Sequence, residues 1–306
     1  MHLVPQVRLA VLVSSLAALG GSTACVGIDG ADFARYTEHE EKTFAVTGKP
    51  DVMLTTFDGS IEIRTWERPE VNVTIEKRAA SKESAATIEI QSQQTGNHVV
   101  VEVKIPQHEG SGFHFDRRSA KLIVSMPAAS NLIAKSGDGS IDAEGITGQI
   151  ELRSGDGSIK ARRLDGDVFA HSGDGSIRLD DVKGTLRAET GDGSIRAAGT
   201  FSSLRARAGD GSVHIVAEAG SAPTSDWDIS TSDGSVSLAL PDGFNAELDA
   251  HTGDGRVQVQ GLTVTGVTGE RDRHSVRGRL GAGGAALRVR SGDGSITLKK
   301  SGGSIT

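Results

Sequence analysis

From residue 131 onward the apolar positions fall into columns that recur every 18 residues. Leu132, Ile150, Val168, Leu186 and Leu204 each stand six residues before an aspartate, and Ile141, Ile159, Ile177, Ile195 and Val213 stand three after it. Further columns lie four before (Ala134, Leu152, Ala170, Ala188, Ala206) and five after (Ala143, Ala161, Leu179, Ala197, Ile215). They alternate with polar residues, as strands with one buried face require. Looser copies around Asp233, Asp254 and Asp293 keep the columns, through Trp227, Leu248 and Leu287 and through Val236, Val257 and Ile296. A second apolar position (Ile146, Leu164, Val182) precedes a second glycine turn at Gly148, Gly166 and Gly184. One coil therefore reads as two short strands and two turns. A single coil cannot bury its own face, but parallel coils stacked about 4.8 Å apart can. The expected fold is all-β: a parallel, β-helix-like solenoid of about 18 residues per coil over residues 131–306.

Residues 42–130 alternate without that fixed spacing and read as a separate N-terminal β-rich part with hairpins. Strands are predicted around Val52–Leu54, Ile61–Ile63, Val71–Ile75, Ile88–Ile90, Val99–Ile105 and Leu122–Val124, with a short helix over Ser81–Ala86. Gln94-Thr95-Gly96-Asn97 marks a turn, and Gly110-Ser111-Gly112 a loop. Asp58-Gly59-Ser60-Ile61 is an outlying copy of the repeat motif.

The first residues follow another pattern. Arg8 precedes an apolar run from Leu9 to Leu19, ended by Gly20-Gly21 and the small residues Ser22-Thr23-Ala24. Residues 1–24 read as a signal peptide, the run being too short to span a bilayer well. Residues 25–41, polar and aperiodic, read as a tether. Cys25, the single cysteine, directly follows the small residues and is the expected lipidation site, although Ser22 stands where a lipobox has leucine. Ordinary cleavage after Ala24 is the alternative. The expected address is an exported lipoprotein, membrane-anchored through its acyl chains and facing the periplasm or the cell surface.

Composition adds constraints. With 40 glycines, 7 prolines and 4% aromatics, the core must be built from Val, Ile, Leu and Ala in thin layers. A net charge of -7 with both signs interspersed lacks the basic face of a nucleic-acid binder.

Asp138, Asp156, Asp174, Asp192 and Asp210 sit in Gly-Asp-Gly-Ser-(Ile/Val) turns that stacking would align in one ladder. Glycine is expected there for positive φ, aspartate to accept backbone N–H groups, and serine to do likewise or to stack its hydroxyl along the ladder. Weak cation binding is one reading of the ladder; structural turns flanked by basic columns (Lys135, Arg153, His171, Arg207; Lys160, Arg178, Arg196, His214) are the other. The turns lack the Gly-Gly-x-Gly-x-Asp calcium motif, so no metal or other cofactor is expected. No pair of carboxylates stands out as glycoside hydrolysis would require, and no catalytic residue is assigned. Arg271-Asp272-Arg273-His274, Arg277 and Arg279 read as a solvated basic loop, with contact to an anionic wall polymer or lipid head groups as an alternative.

Phe57-Asp58-Gly59-Ser60-Ile61-Glu62-Ile63-Arg64-Thr65-Trp66 followed by Val71-Asn72-Val73, the serial Ser-Gly-Asp-Gly-Ser-Ile copies, and Ser232-Asp233-Gly234-Ser235-Val236 through Pro241 together resemble a bacterial adhesin-like family catalogued as a domain of unknown function and related to head-GIN and LiaG-like envelope proteins. The resemblance covers roughly residues 42–300. It implies a β-helix-like fold at the cell envelope, no enzyme activity, and no transferable binding residues. The function expected is a non-catalytic binding or scaffold surface for an envelope component or surface polymer. A sensor in an envelope stress response is the alternative, and a carbohydrate-active enzyme a remote third.

Overall fold

The computed structural model describes residues 36–105, 118–267 and 273–301. The proposed signal peptide, Cys25, the Gly110–Gly112 loop, Arg271 and Asp272 lie outside the described residues. The N-terminal elements are β1 (Tyr36–Ala45), β2 (Asp51–Thr56), β3 (Ile61–Trp66), β4 (Glu70–Ala79), α1 (Lys82–Ala86), β5 (Glu89–Thr95), β6 (His98–Lys104) and β7 (Ser119–Pro127). The repeats supply β8 (Asn131–Ser136), β9 (Ile141–Glu144), β10 (Thr147–Ser154), β11 (Ile159–Ser172), β12 (Ile177–Thr190), β13 (Ile195–Ala208), β14 (Val213–Ala217), β15 (Trp227–Thr231) and β16 (Val236–Leu240). The chain closes with β17 (Ala246–Thr252), β18 (Val257–Gln260), β19 (Val264–Thr265), β20 (Ser275–Leu280), β21 (Ala286–Ser291) and β22 (Ile296–Lys300).

Two faces of mostly parallel strands enclose the core. Ahead of each Gly-Asp-Gly turn a strand joins the first face, and after it a strand joins the second. Partners in register follow the sequence columns: Leu132, Ile150, Val168, Leu186 and Leu204 on one face, Ile141, Ile159, Ile177, Ile195 and Val213 on the other. All of these side chains are buried. The second glycine turn differs from its expected form. It does not end a strand: β11, β12 and β13 each run through it as 14-residue strands. Gly166 and Gly184 take φ of 125° and 111°, which bends the backbone while its hydrogen bonds to the next coil continue.

The boundary expected near residue 130 is absent. β2 pairs in parallel with β8, and β3 with β9, so the Asp58 coil stacks directly on the Asp138 coil. The coil made by β6 and β7 lies outside it, against β2 and β3. The N-terminal part is thus the start of the solenoid. Its hairpins serve as an end cap: β5 runs antiparallel to β6, and β4 and β1 run antiparallel beyond β7. The tether also ends earlier than expected, since β1 begins at Tyr36 and pairs with β4 from Tyr36↔Ala79 to Ala45↔Glu70. Its sequence, YTEHEEKTFA, hides this because an outermost strand buries little, here chiefly Phe44. Charged edge residues of this kind also discourage pairing with foreign strands. Helix α1 forms as predicted, with Ser81 as N-cap accepting from Ser84 N at 3.2 Å.

At the other end the stacking order departs from chain order. β15 and β16 pair with β21 and β22, which in turn pair with β17 and β18. The last coil of the chain is therefore inserted between two earlier ones. β20, antiparallel to β17, closes the first face. Arg277 and Arg279 belong to this strand and not to a solvated loop: they bond Asp249 and Glu247, each at 3.0 Å. Asp249 also holds Arg290 of β21. Burial raises the Asp249 carboxyl, but the hydrogen bonds from Arg290 and Arg277 outweigh it and leave the pKa below its usual value. The unequal coil before Asp233 is filled by an aromatic cluster, with Trp227 5.0 Å from Phe244 and edge-on to Phe201 at 6.2 Å.

Candidate functional site

The five sequence-predicted turn aspartates come together as neighbours along one edge of the solenoid. Turn backbones bond coil to coil: Gly155 N to Gly137 O at 2.6 Å, Gly173 N to Gly155 O at 2.6 Å, Gly191 N to Gly173 O at 2.6 Å, and Gly209 N to Gly191 O at 2.7 Å. The row continues beyond them. Asp58 precedes Asp138 at one end, and Asp233, Asp293 and Asp254 follow Asp210 in that spatial order.

Two expected roles within the turn are corrected. The paired glycines flanking Asp156, Asp174, Asp192 and Asp210 do not take positive φ. They are required because a Cβ on Gly175 would lie 2.3 Å from the carbonyl oxygen of Gly157, and on Gly193 2.2 Å from that of Gly175. Nor does aspartate cap the turn. The acceptor is a buried hydroxyl two residues earlier, a ladder that sequence reading missed. Ser172 Oγ accepts from Gly175 N at 3.1 Å and donates to Gly157 O, one coil back, at 2.9 Å. Ser154, Ser136, Thr231 and Thr252 repeat both bonds. Each hydroxyl ties its own turn and staples it to the next, which satisfies polar groups inside the core. The signal is visible in the sequence: Ser or Thr precedes every such aspartate by two positions except Asp210, where Ala208 stands. Replacing Ala208 with serine is expected to restore both bonds and to stabilise the fold by about 1 kcal/mol, a rise of about 2–4 °C in melting temperature. The turn serines behave as predicted where Ser194 N bonds Ser176 Oγ and Ser235 N bonds Ser212 Oγ, each at 3.3 Å.

The row aspartates are left exposed, and among the described residues neither a cation nor a backbone donor meets Asp138, Asp156, Asp174, Asp192 or Asp210. The flanking basic columns do not reach them. Neighbouring carboxylates about 4.8 Å apart repel by about 0.9 kcal/mol per pair in water. At Asp58, partial burial and then the charge of Asp138 raise the carboxyl pKa. Among the described residues no three acidic, histidine or cysteine side chains converge as a cation site. Asp174→Asn is accordingly expected to raise the melting temperature slightly at low salt, with the gain fading at high salt. Millimolar calcium should shift melting little. A large calcium-dependent rise, lost in Asp174→Asn, would contradict this.

A second feature lies on the solvent side of the first face. A shallow groove of about 410 Å³ crosses β6, β2, β8, β10 and β11. Met53, Ile133 and Phe169 supply apolar floor, where a solvated sheet face is normally polar. Met53 is in register with Ile133, and Ile133 with Glu151. Arg153 and Arg187 lie over the Phe169 ring at 4.7 and 5.3 Å, and His171 stacks on it at 6.3 Å. The other wall is polar: His98, Asp51, Asn131, Gln149 and Asp167. Asn131 Nδ2 donates to Asp51 at 2.7 Å, which fixes that wall's orientation. An apolar floor beside carboxylate and amide groups suits a ligand with both an apolar face and hydroxyl donors. Sequence reading missed the groove because Met53, Ile133 and Phe169 belong to outward columns with no repeating residue type.

Residues 51–299 match the family model described as Toastrack DUF4097. The chain belongs to this family. That agrees with the resemblance carried by the Asp58 and serial Gly-Asp-Gly-Ser motifs, and the Toastrack match begins at β2, the first strand of the continuous stack. Solved structures similar to this Toastrack chain include a "putative adhesin" of Bacteroides fragilis, 12% identical with 86% of this chain and 96% of that chain covered at a TM-score of 0.38. A "putative lipid binding protein" of Parabacteroides distasonis is 14% identical, with 85% and 96% covered at 0.42. No curated protein matches the chain. Among the described residues no helix is long and apolar enough to cross a membrane.

Proposed function

We propose that this Toastrack protein is a non-catalytic, adhesin-like binding or scaffold surface of the cell envelope. Export by residues 1–24 and acylation of Cys25 would place the solenoid on a membrane tether. The observation that carries the reading is the groove: Met53, Ile133 and Phe169 place apolar surface on a sheet face whose surroundings are polar, with Glu151 between Ile133 and Phe169. It is built from backbone-paired strands.

Co-sedimentation with isolated cell envelopes of the native host tests this. The mature chain without its lipid is expected to be retained, and Met53→Gln with Ile133→Thr to reduce retention at least tenfold. Both side chains are half-buried on the outward side of the sheet, so the melting temperature should stay within a few degrees of wild type. Equal retention of variant and wild type, or none by either, would contradict the reading.

A further inference from the structure

One outward column of the second face places cations on three neighbouring coils and a histidine on the fourth, beside a mixed column of Glu144, Arg162 and Asp180. Lys160, Arg178, Arg196 and His214 are in register from β11 to β14, each about 4.8 Å from the next. The same column holds Glu62 and Asp142 before them and Ser237 after. Like charges side by side on adjacent strands oppose folding, and alternating signs would relieve this at no cost to the core. Arg178 meets Asp180 at 2.8 Å, but Lys160 and Arg196 make no ion pair or hydrogen bond among the described residues. The first face is different. There Lys135 and Arg153 share Glu151, Arg187 meets Glu189, and Arg207 meets Asp228. Hydroxyls line one side of the row: Ser176 and Ser212 accept from the next coil's backbone and keep their own protons for donation outward. Partial burial, then the charges of Lys299 and Arg196, hold the His214 imidazole below its usual pKa, so the cations of the row are Lys160, Arg178 and Arg196.

We propose that this row binds a linear polyanion, a polymer of phosphate or carboxylate groups lying along the solenoid axis. The row is about 14 Å long, which accommodates two or three anionic groups. A polymer is favoured over an anionic membrane by what stands beside the row. Four residues before each of Lys160, Arg178 and Arg196, the turn presents Asp156, Asp174 and Asp192, all exposed. A flat anionic surface covering the row would meet that acidic edge, whereas a thin chain avoids it. This rests on the solenoid being a binding surface, but uses the opposite face from the groove.

Polyphosphate is the probe, with inorganic phosphate and vesicles of 30% phosphatidylglycerol in phosphatidylcholine as comparisons, read by titration calorimetry and vesicle sedimentation. The full mature chain is expected to bind polyphosphate in low salt, with log K falling against log[salt] at a slope of about −2, as neutralising three anionic groups of a single chain requires. Lys160→Glu with Arg196→Glu should weaken binding at least tenfold at unchanged melting temperature. Lys135→Glu on the first face, and the groove variant, should leave it unchanged, which separates failure here from failure of the groove. No polyphosphate binding would overturn the proposal. So would vesicle binding with the same dependence on Lys160 and Arg196, or self-association lost in that double variant, which would assign the row to a second copy's acidic edge.

Discussion

Gly175→Ala is expected to lower stability by about 3 kcal/mol, a fall of about 6–12 °C in melting temperature. The added Cβ would lie 2.3 Å from Gly157 O, 2.5 Å from Gly157 C and 2.8 Å from Asp156 O. These are backbone atoms of the neighbouring coil, pinned by turn-to-turn hydrogen bonds, so neither side can move without opening the stack. Gly96→Ala is the control. Gly96 has φ of 60° and open space where its Cβ would go, so its replacement should cost only about 1 kcal/mol of backbone strain. Thermal melts of the two variants separate crowding from conformational preference. Equal shifts would reject close approach as the reason for the Gly-Asp-Gly motif.

Ile177→Asp is expected to be at least as damaging, costing about 4 kcal/mol or more, while Arg178→Asp should stay within about 0.5 kcal/mol of wild type. Ile177 is 1% exposed, in register between Ile159 and Ile195, so a carboxylate there would be buried without a partner. Arg178 lies on the outer side, and its pair with Asp180 is solvated, 60% and 50% of the two side chains being exposed. Chemical denaturation should show a much lower midpoint for Ile177→Asp alone. Comparable midpoints would reverse the assignment of faces.

The columns that decide these two outcomes are legible in the amino-acid sequence alone. Repetition fixes which residues face in, because every coil votes on the same positions. What repetition does not convey is arrangement at the ends. Asp58 reads as an outlier because 80 residues separate it from Asp138 in the chain, yet β2 and β8 are strand partners. The inserted final coil is hidden for the same reason: parallel pairing depends on which strand has a free edge, and chain order does not encode that. The buried Ser/Thr ladder is within reach of the sequence, since its period matches the apolar columns. It is easily missed because small hydroxyl residues beside glycine read as turn composition. Aspartate, the most conspicuous letter of the motif, has no structural partner among the described residues in the central turns, whereas the hydroxyl of Ser172, two residues before Asp174, has two.

The groove depends on one claim, that residues 42–130 begin the solenoid and are not a separate domain. The groove exists only because β2 lies beside β8. A cysteine pair tests this directly in a Cys25→Ser background: Ser60→Cys with Ser140→Cys. Ile61 N bonds Ser140 O at 2.9 Å, which places the two serines on adjacent coils at a separation a disulfide can bridge. Mild oxidation of the folded chain is predicted to join the two cysteines within single molecules, essentially to completion, as read by mass spectrometry of the proteolysed protein. Free thiols at both positions after oxidation, in a chain that retains its native β spectrum, would contradict the continuous stack.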